Sequence, residues 1–76
     1  MGTEHLPTFG DLLQRYRRAA GLTQEALAER AGLSVQGISA LERGVNRTPR
    51  KDTAALLATA LALAERDRAT LLEGWQ

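Results

Sequence analysis

Residues 22–44 read L-T-Q-E-A-L-A-E-R-A-G-L-S-V-Q-G-I-S-A-L-E-R-G, and this stretch decides the fold. Its spacing predicts two short helices joined by a tight turn. The first starts at Gln24 with Thr23 as N-cap, because a threonine hydroxyl accepts a bond from a free N–H of the first turn. Glu25 suits the positive end of that helix. Leu27, Ala28, Ala31 and Leu33 supply an apolar side. Gly32 breaks the helix, since glycine takes the left-handed conformation without a Cβ penalty. Ser34 caps a second helix over 35–43, with Ile38 and Leu41 facing inward. Gly44 closes it, and Arg43 places a cation in its last turn.

Two helices that cross closely need a small residue where their backbones meet, a turn glycine, and an inward apolar stripe on each. Ala28, Gly32 and the set Leu27, Ala31, Leu33, Ile38 and Leu41 provide all three. This is the pattern of a helix-turn-helix whose second helix enters the major groove of DNA. The segment T-Q-E-A-L-A-E-R-A-G-L-S, followed by L-E-R-G, resembles the xenobiotic-response-element (Cro/C1-repressor-type) helix-turn-helix family. The likeness runs from about Phe9 to Leu72. It implies an all-α, five-helix, lambda-repressor-like domain that binds double-stranded DNA, with the helix-turn-helix at helices two and three. The stretches F-G-D-L-L-Q-R-Y-R-R-A-A-G-L-T-Q-E-A-L-A and I-S-A-L-E-R-G-V-N-R-T-P-R-K-D-T resemble the N-terminal module of larger bacterial transcription regulators.

With helix three in the groove, its first turn and outer face meet base edges, which nominates Val35, Gln36, Ser39 and Ala40. A glutamine amide pairs bidentately with adenine, and a valine packs on a thymine methyl. Many members of the family carry a polar residue where Val35 stands, and Gly37 leaves its surface bare. The helix is therefore poor in hydrogen-bonding groups. That implies modest intrinsic specificity, or reliance on DNA shape, a second copy or neighbouring domains. The resemblance assigns phosphate contacts to Gln24, which matches the glutamine opening helix two in the family, and to Arg43, Asn46, Arg47 and Arg50 after helix three. Arg17 or Arg18 would reach the backbone too if their face points that way, but Arg15, Arg17 and Arg18 read first as a solvated helix face. Glu42 reads as the partner of a nearby arginine.

The 76 residues make one small domain with a modest core. Its net charge of +1 and pI of 8.4 are below the value of about 9 expected of a strongly basic nucleic-acid-binding domain. Distribution matters more: Arg43, Arg47, Arg50 and Lys51 cluster without an intervening acid, whereas Glu65 to Glu73 is mildly acidic. There is no cysteine, hence no disulfide framework or thiolate metal site, in keeping with the cytoplasm. No apolar run approaches the roughly 20 residues that cross a bilayer, and the first residues lack the pattern of a signal peptide.

Outside the central stretch, residues 1–7 read as a flexible lead-in and 8–74 as the domain. Thr8 caps helix one, whose stripe is Phe9, Leu12, Leu13, Tyr16, Ala19 and Ala20, ending at Gly21. Residues 45–51 form a charged loop. Asp52 or Thr53 caps helix four, which buries Ala54, Leu57, Ala58 and Leu61, with Leu56 and Ala60 widening the face. Helix five covers about 65–73 and buries Ala69, Leu72 and Leu71. Its N-cap position falls on Ala64, a poor cap, and Gly74 ends it. Helices one, four and five form the scaffold: Leu12, Leu13, Tyr16, Leu57 and Leu61 cover the back of Leu27, Ile38 and Leu41. His5 reads as a solvated side chain, and Trp75 as either folded onto helix five or part of a junction.

No catalytic constellation is visible: there is no phosphate-cradling glycine loop, no cysteine and one histidine. The leading function is sequence-specific double-stranded DNA binding in a bacterial transcription regulator, not an enzyme, without cofactor, metal or membrane partner. The alternative is a protein-interaction adaptor or antitoxin-like module on the same fold, which the apolar, glycine-bearing helix three keeps open. With no long apolar heptad to drive pairing, the isolated chain is expected to be a monomer, dimerising on DNA or through regions outside this chain.

Overall fold

The computed structural model describes residues 8–44 and 50–73. Within them lie five α-helices and no strand: α1 Phe9–Ala19, α2 Gln24–Ala31, α3 Val35–Glu42, α4 Lys51–Ala60 and α5 Glu65–Glu73. The side chains of Pro7, His5, Asn46, Arg47 and Trp75, and the helix end expected at Gly74, lie outside the described residues.

The caps at the first three helix starts follow from side-chain chemistry. Thr8 Oγ1 accepts from Asp11 N at 3.1 Å, and Thr8 N donates back to Asp11 Oδ2 at 3.2 Å, a reciprocal capping box. Thr23 Oγ1 accepts from Ala26 N at 3.0 Å, and Ser34 Oγ accepts from Gly37 N at 3.0 Å. At the other ends, Gly21, Gly32 and Gly44 have φ of 73°, 72° and 78°, the left-handed conformation that closes a helix. The tight turn between α2 and α3 is Gly32-Leu33-Ser34, with Leu33 N donating to Ala28 O at 2.9 Å.

Two helix boundaries differ from expectation. Helix α3 ends at Glu42, one residue early, and Arg43 is its C-cap. Helix α4 begins at Lys51, so the capping position falls on Arg50, not on Asp52 or Thr53, and no side chain caps it. Asp52 sits instead within the first turn, where its charge offsets the helix dipole directly. The α4 end is unlike the others: Ala62, with φ of 54°, takes the left-handed position that glycine fills elsewhere.

One core joins all five helices: Phe9, Leu12 and Leu13 of α1, Leu27, Ala28 and Ala31 of α2, Ile38 and Leu41 of α3, Ala54, Leu57 and Ala58 of α4, then Leu61 and Leu71. Tyr16 and Leu33 pack at its edge. Helix α3 rests on α1 and α2, α4 on α2 and α5, and α5 returns to α1. Helices α1, α4 and α5 are thus the scaffold behind the α2–α3 pair.

Four expected core positions do not belong to it. Ala19 and Ala20 are exposed because the buried stripe of α1 runs out after Tyr16. Leu56 is 47% exposed: with Ala54, Leu57, Ala58 and Leu61 facing inward, position 56 projects sideways. In α5, Leu71 is fully buried and Ala69 is exposed. The inward face of α5 is centred on Leu71, with Asp67 and Arg68 on its flank, half-buried. Arg68 Nη1 donates to Thr59 Oγ1 of α4 at 3.3 Å.

Candidate nucleic-acid interface

The α2–α3 pair is held by a polar cluster whose residues come from three helices, built around an ion pair between α1 and α3. Arg17 of α1 donates from Nε to Glu42 Oε2 at 2.6 Å and from Nη2 to Oε1 at 3.0 Å. Its third nitrogen, Nη1, donates to the carbonyl of Leu22 at 2.9 Å. Gln24, the first residue of α2, donates from Nε2 to Glu42 Oε1 at 3.0 Å. The side chains of Arg17 and Glu42 are only 11% and 2% exposed. Two parallel bonds to one carboxylate make this the stronger, geometrically specific class of ion pair. The hydrogen bond to Glu42 raises the Arg17 pKa above its ordinary value, with burial opposing and the Glu42 charge assisting.

Glu42 therefore pairs with an arginine, as its sequence context suggests, and the arginine is Arg17. This corrects the reading of Arg17 as a solvated or phosphate-contacting residue. Its position carried the signal: Gly10, Leu13 and Arg17 fall three and four apart on one stripe of α1, and the first two are buried. Arg15 and Arg18 are exposed.

Gly10 allows α1 and α3 to meet this closely. A Cβ built there would lie 2.2 Å from the carbonyl oxygen of Leu41 and 3.0 Å from that of Glu42. The α1 backbone thus seats directly on the C-terminal carbonyls of α3, next to the Arg17–Glu42 pair. Sequence reasoning missed Gly10, because a glycine inside a helical pattern announces no contact.

With its inner face pinned through Ile38, Leu41 and Glu42, α3 turns the opposite face outward. Val35 is 37% exposed, Gln36 and Gly37 are exposed, and Ser39 and Ala40 are half-buried. None of these five carries a charge. Arg43 at the end of α3, and Arg50 and Lys51 at the start of α4, are exposed cations. Gln24 is half-buried with one amide hydrogen on Glu42; a primary amide nitrogen carries a second. Of the nominated residues, Val35, Gln36, Ser39 and Ala40 thus share one helix, and Gln24 is tied to its far end through Glu42. The structure describes Arg43 and Arg50 but not Asn46 and Arg47.

Elsewhere, an open cleft of about 610 Å³ lies between α2 and α4, lined by Arg30, Ala31, Asp52, Ala55, Leu56, Thr59 and Ala60. No residue of α3 lines it. Among the described residues no group of three or more His, Cys, Asp or Glu side chains is placed to hold a metal. No described helix is long and apolar enough to cross a membrane.

A family model described as helix-turn-helix matches residues 13–67. An uncharacterized HTH-type transcriptional regulator of Methanothermobacter thermautotrophicus is 54% identical over 33 residues, which make up 43% of this chain. The chain covers 48% of that relative, about half its length. No solved structure matches.

Proposed function

Since the chain belongs to the Cro/C1-type helix-turn-helix family and has its five-helix, all-α, lambda-repressor-like fold, we propose that it binds double-stranded DNA sequence-specifically as a transcription regulator or its DNA-binding module. Helix α3 enters the major groove. Val35, Gln36, Ser39 and Ala40 meet base edges, while Gln24, Arg43, Asn46, Arg47 and Arg50 hold phosphates. The observation that carries this reading is the outward face of α3: uncharged, accessible, and held rigidly from behind by the Arg17–Glu42–Gln24 cluster. The exposed Arg43 and Arg50 supply cations beside it. Glu42 holds the Gln24 amide at the start of α2, leaving its second N–H for a phosphate oxygen.

A titration of labelled protein with a mixed-sequence duplex at low salt tests this. Amide shifts are expected at Gln24, at 35–40 and at 43–50, reversing as salt is added. Each phosphate contact contributes roughly one unit to the slope of log affinity against log salt, so Arg50→Ala lowers that slope by about one. Unchanged affinity in Arg47→Ala and Arg50→Ala would refute the groove model. Shifts confined to α4 and α5 would favour an adaptor function instead. Val35, an exposed apolar side chain, is the observation on which an adaptor reading rests. The isolated chain is taken to be a monomer that pairs on DNA or through other regions; a tight dimer in dilute buffer, seen by sedimentation, would contradict this.

A further inference from the structure

Each described glycine but one has a reason inside the fold. Gly21, Gly32 and Gly44 take positive φ. Gly10 gives way to the carbonyls of α3. Gly37 does neither. It lies in the first turn of α3 with ordinary helical φ, is exposed, and a Cβ there would meet a single neighbour, Ser34 Oγ, at 3.1 Å. That neighbour does not demand glycine. Ser34 is the N-cap, and Gly37 N donates to it as the third residue of the helix. The third residues of α1 and α2 make the same bond to their caps, at 3.1 and 3.0 Å, and they are Asp11 and Ala26, each with a Cβ. The terminal hydroxyl of Ser34 can shift by the few tenths of an ångström that a methyl group needs.

Glycine is among the poorest helix formers, so within the free protein this position gives up helix stability without return. The remaining use of a missing side chain is the close approach of another molecule to the backbone. Gly37 adjoins Gln36 on the outward side of α3. We infer that Gly37 is a specificity-determining residue: its bare backbone lets α3 seat deeply enough for Gln36 to reach base edges, and any side chain there holds the helix off the groove floor. This rests on the reading of α3 as the groove helix. It also makes the bare surface a condition of readout instead of a deficit in it.

The experiment compares the wild-type chain with Gly37→Ala and Gly37→Gln. Each is measured for thermal stability and for affinity to two duplexes of equal length. One duplex is recovered with the wild type from a randomised pool; the other is unrelated in sequence. Gly37→Ala is expected to melt at or above the wild-type temperature. It should bind the selected duplex about tenfold more weakly, roughly the effect of one mismatched base pair. Affinity for the unrelated duplex, held by phosphates, should change by less than about threefold. Gly37→Gln should lose more discrimination than Gly37→Ala. If the wild type discriminates and Gly37→Ala discriminates equally well, or Gly37→Gln binds the selected duplex more tightly, the inference falls. If the wild type itself selects no duplex, the groove reading has failed, a separate result. If Gly37→Ala melts well below the wild type, Gly37 has a structural role and the inference falls too.

Discussion

Gly10→Ala is the smallest change that reports on how α1 and α3 meet. The added methyl would sit 2.2 Å from the Leu41 carbonyl oxygen, where a carbon–oxygen contact needs about 3.3 Å or more. The helices must part by roughly 1 Å, since the obstacle is backbone and has no rotamer to change. Overpacking of this kind costs about 1–3 kcal/mol. Alanine returns about 0.5–1 kcal/mol of helix propensity, less near a helix start. The expected net loss is about 1–2 kcal/mol, which in a domain of this size lowers Tm by about 5–15 °C. Circular dichroism during thermal and urea unfolding measures it, with Gly37→Ala as a control: the same substitution in a helix, exposed, of opposite expected sign. A Gly10→Ala protein as stable as the wild type would show that α1 does not seat on the α3 carbonyls.

Glu42→Ala leaves the Arg17 guanidinium, 11% exposed, without its carboxylate. The loss expected for a broken buried pair is trimmed to about 2–4 kcal/mol, because the Leu22 carbonyl still accepts from Arg17. A loss below about 0.5 kcal/mol in urea unfolding would remove the pair from any structural role. Because Glu42 raises the Arg17 pKa, the contribution of this arginine is complete below its ordinary value and lost only as pH rises through the raised one. Stability curves should therefore show no decline from Arg17 in mildly alkaline buffer. Ala62→Gly should stabilise by about 0.5–1 kcal/mol, since alanine at φ of 54° carries a left-handed penalty that glycine avoids; an unchanged or lower Tm would count against that backbone conformation. Leu57→Ala should cost about 2–5 kcal/mol and Leu56→Gln less than about 0.5 kcal/mol. Equal effects of the two would mean that α4 is rotated from the face described.

The site was legible to different depths at different residues. Gln36 and Val35 could be placed on an outward face from the 3.6-residue period, because Ile38 and Leu41 define the opposite side of so short a helix. The partner class of Glu42 was legible as well. Arg17 was harder, since a charge beside other charges on a helix looks solvated until a carboxylate from a distant helix arrives.

Local physics is written in the sequence by itself. Thr8, Thr23 and Ser34 start three helices because a hydroxyl can satisfy a free N–H within its own turn. Gly21, Gly32 and Gly44 end them because each lacks the Cβ that resists left-handed backbone. Those signals involve residues three or four apart, so they determine the helix-turn-helix, most helix boundaries and the family resemblance without reference to the rest of the chain. What the tertiary structure decided is the set of relations between residues far apart along the chain. Gly10 lies against the carbonyls of Leu41 and Glu42, Arg17 meets Glu42 and the Leu22 carbonyl, and Leu71 displaces Ala69 from the core. Each depends on the rotation of a helix about its axis and on how closely two backbones approach. Those quantities are set by the packing of all five helices at once, and no local pattern encodes them.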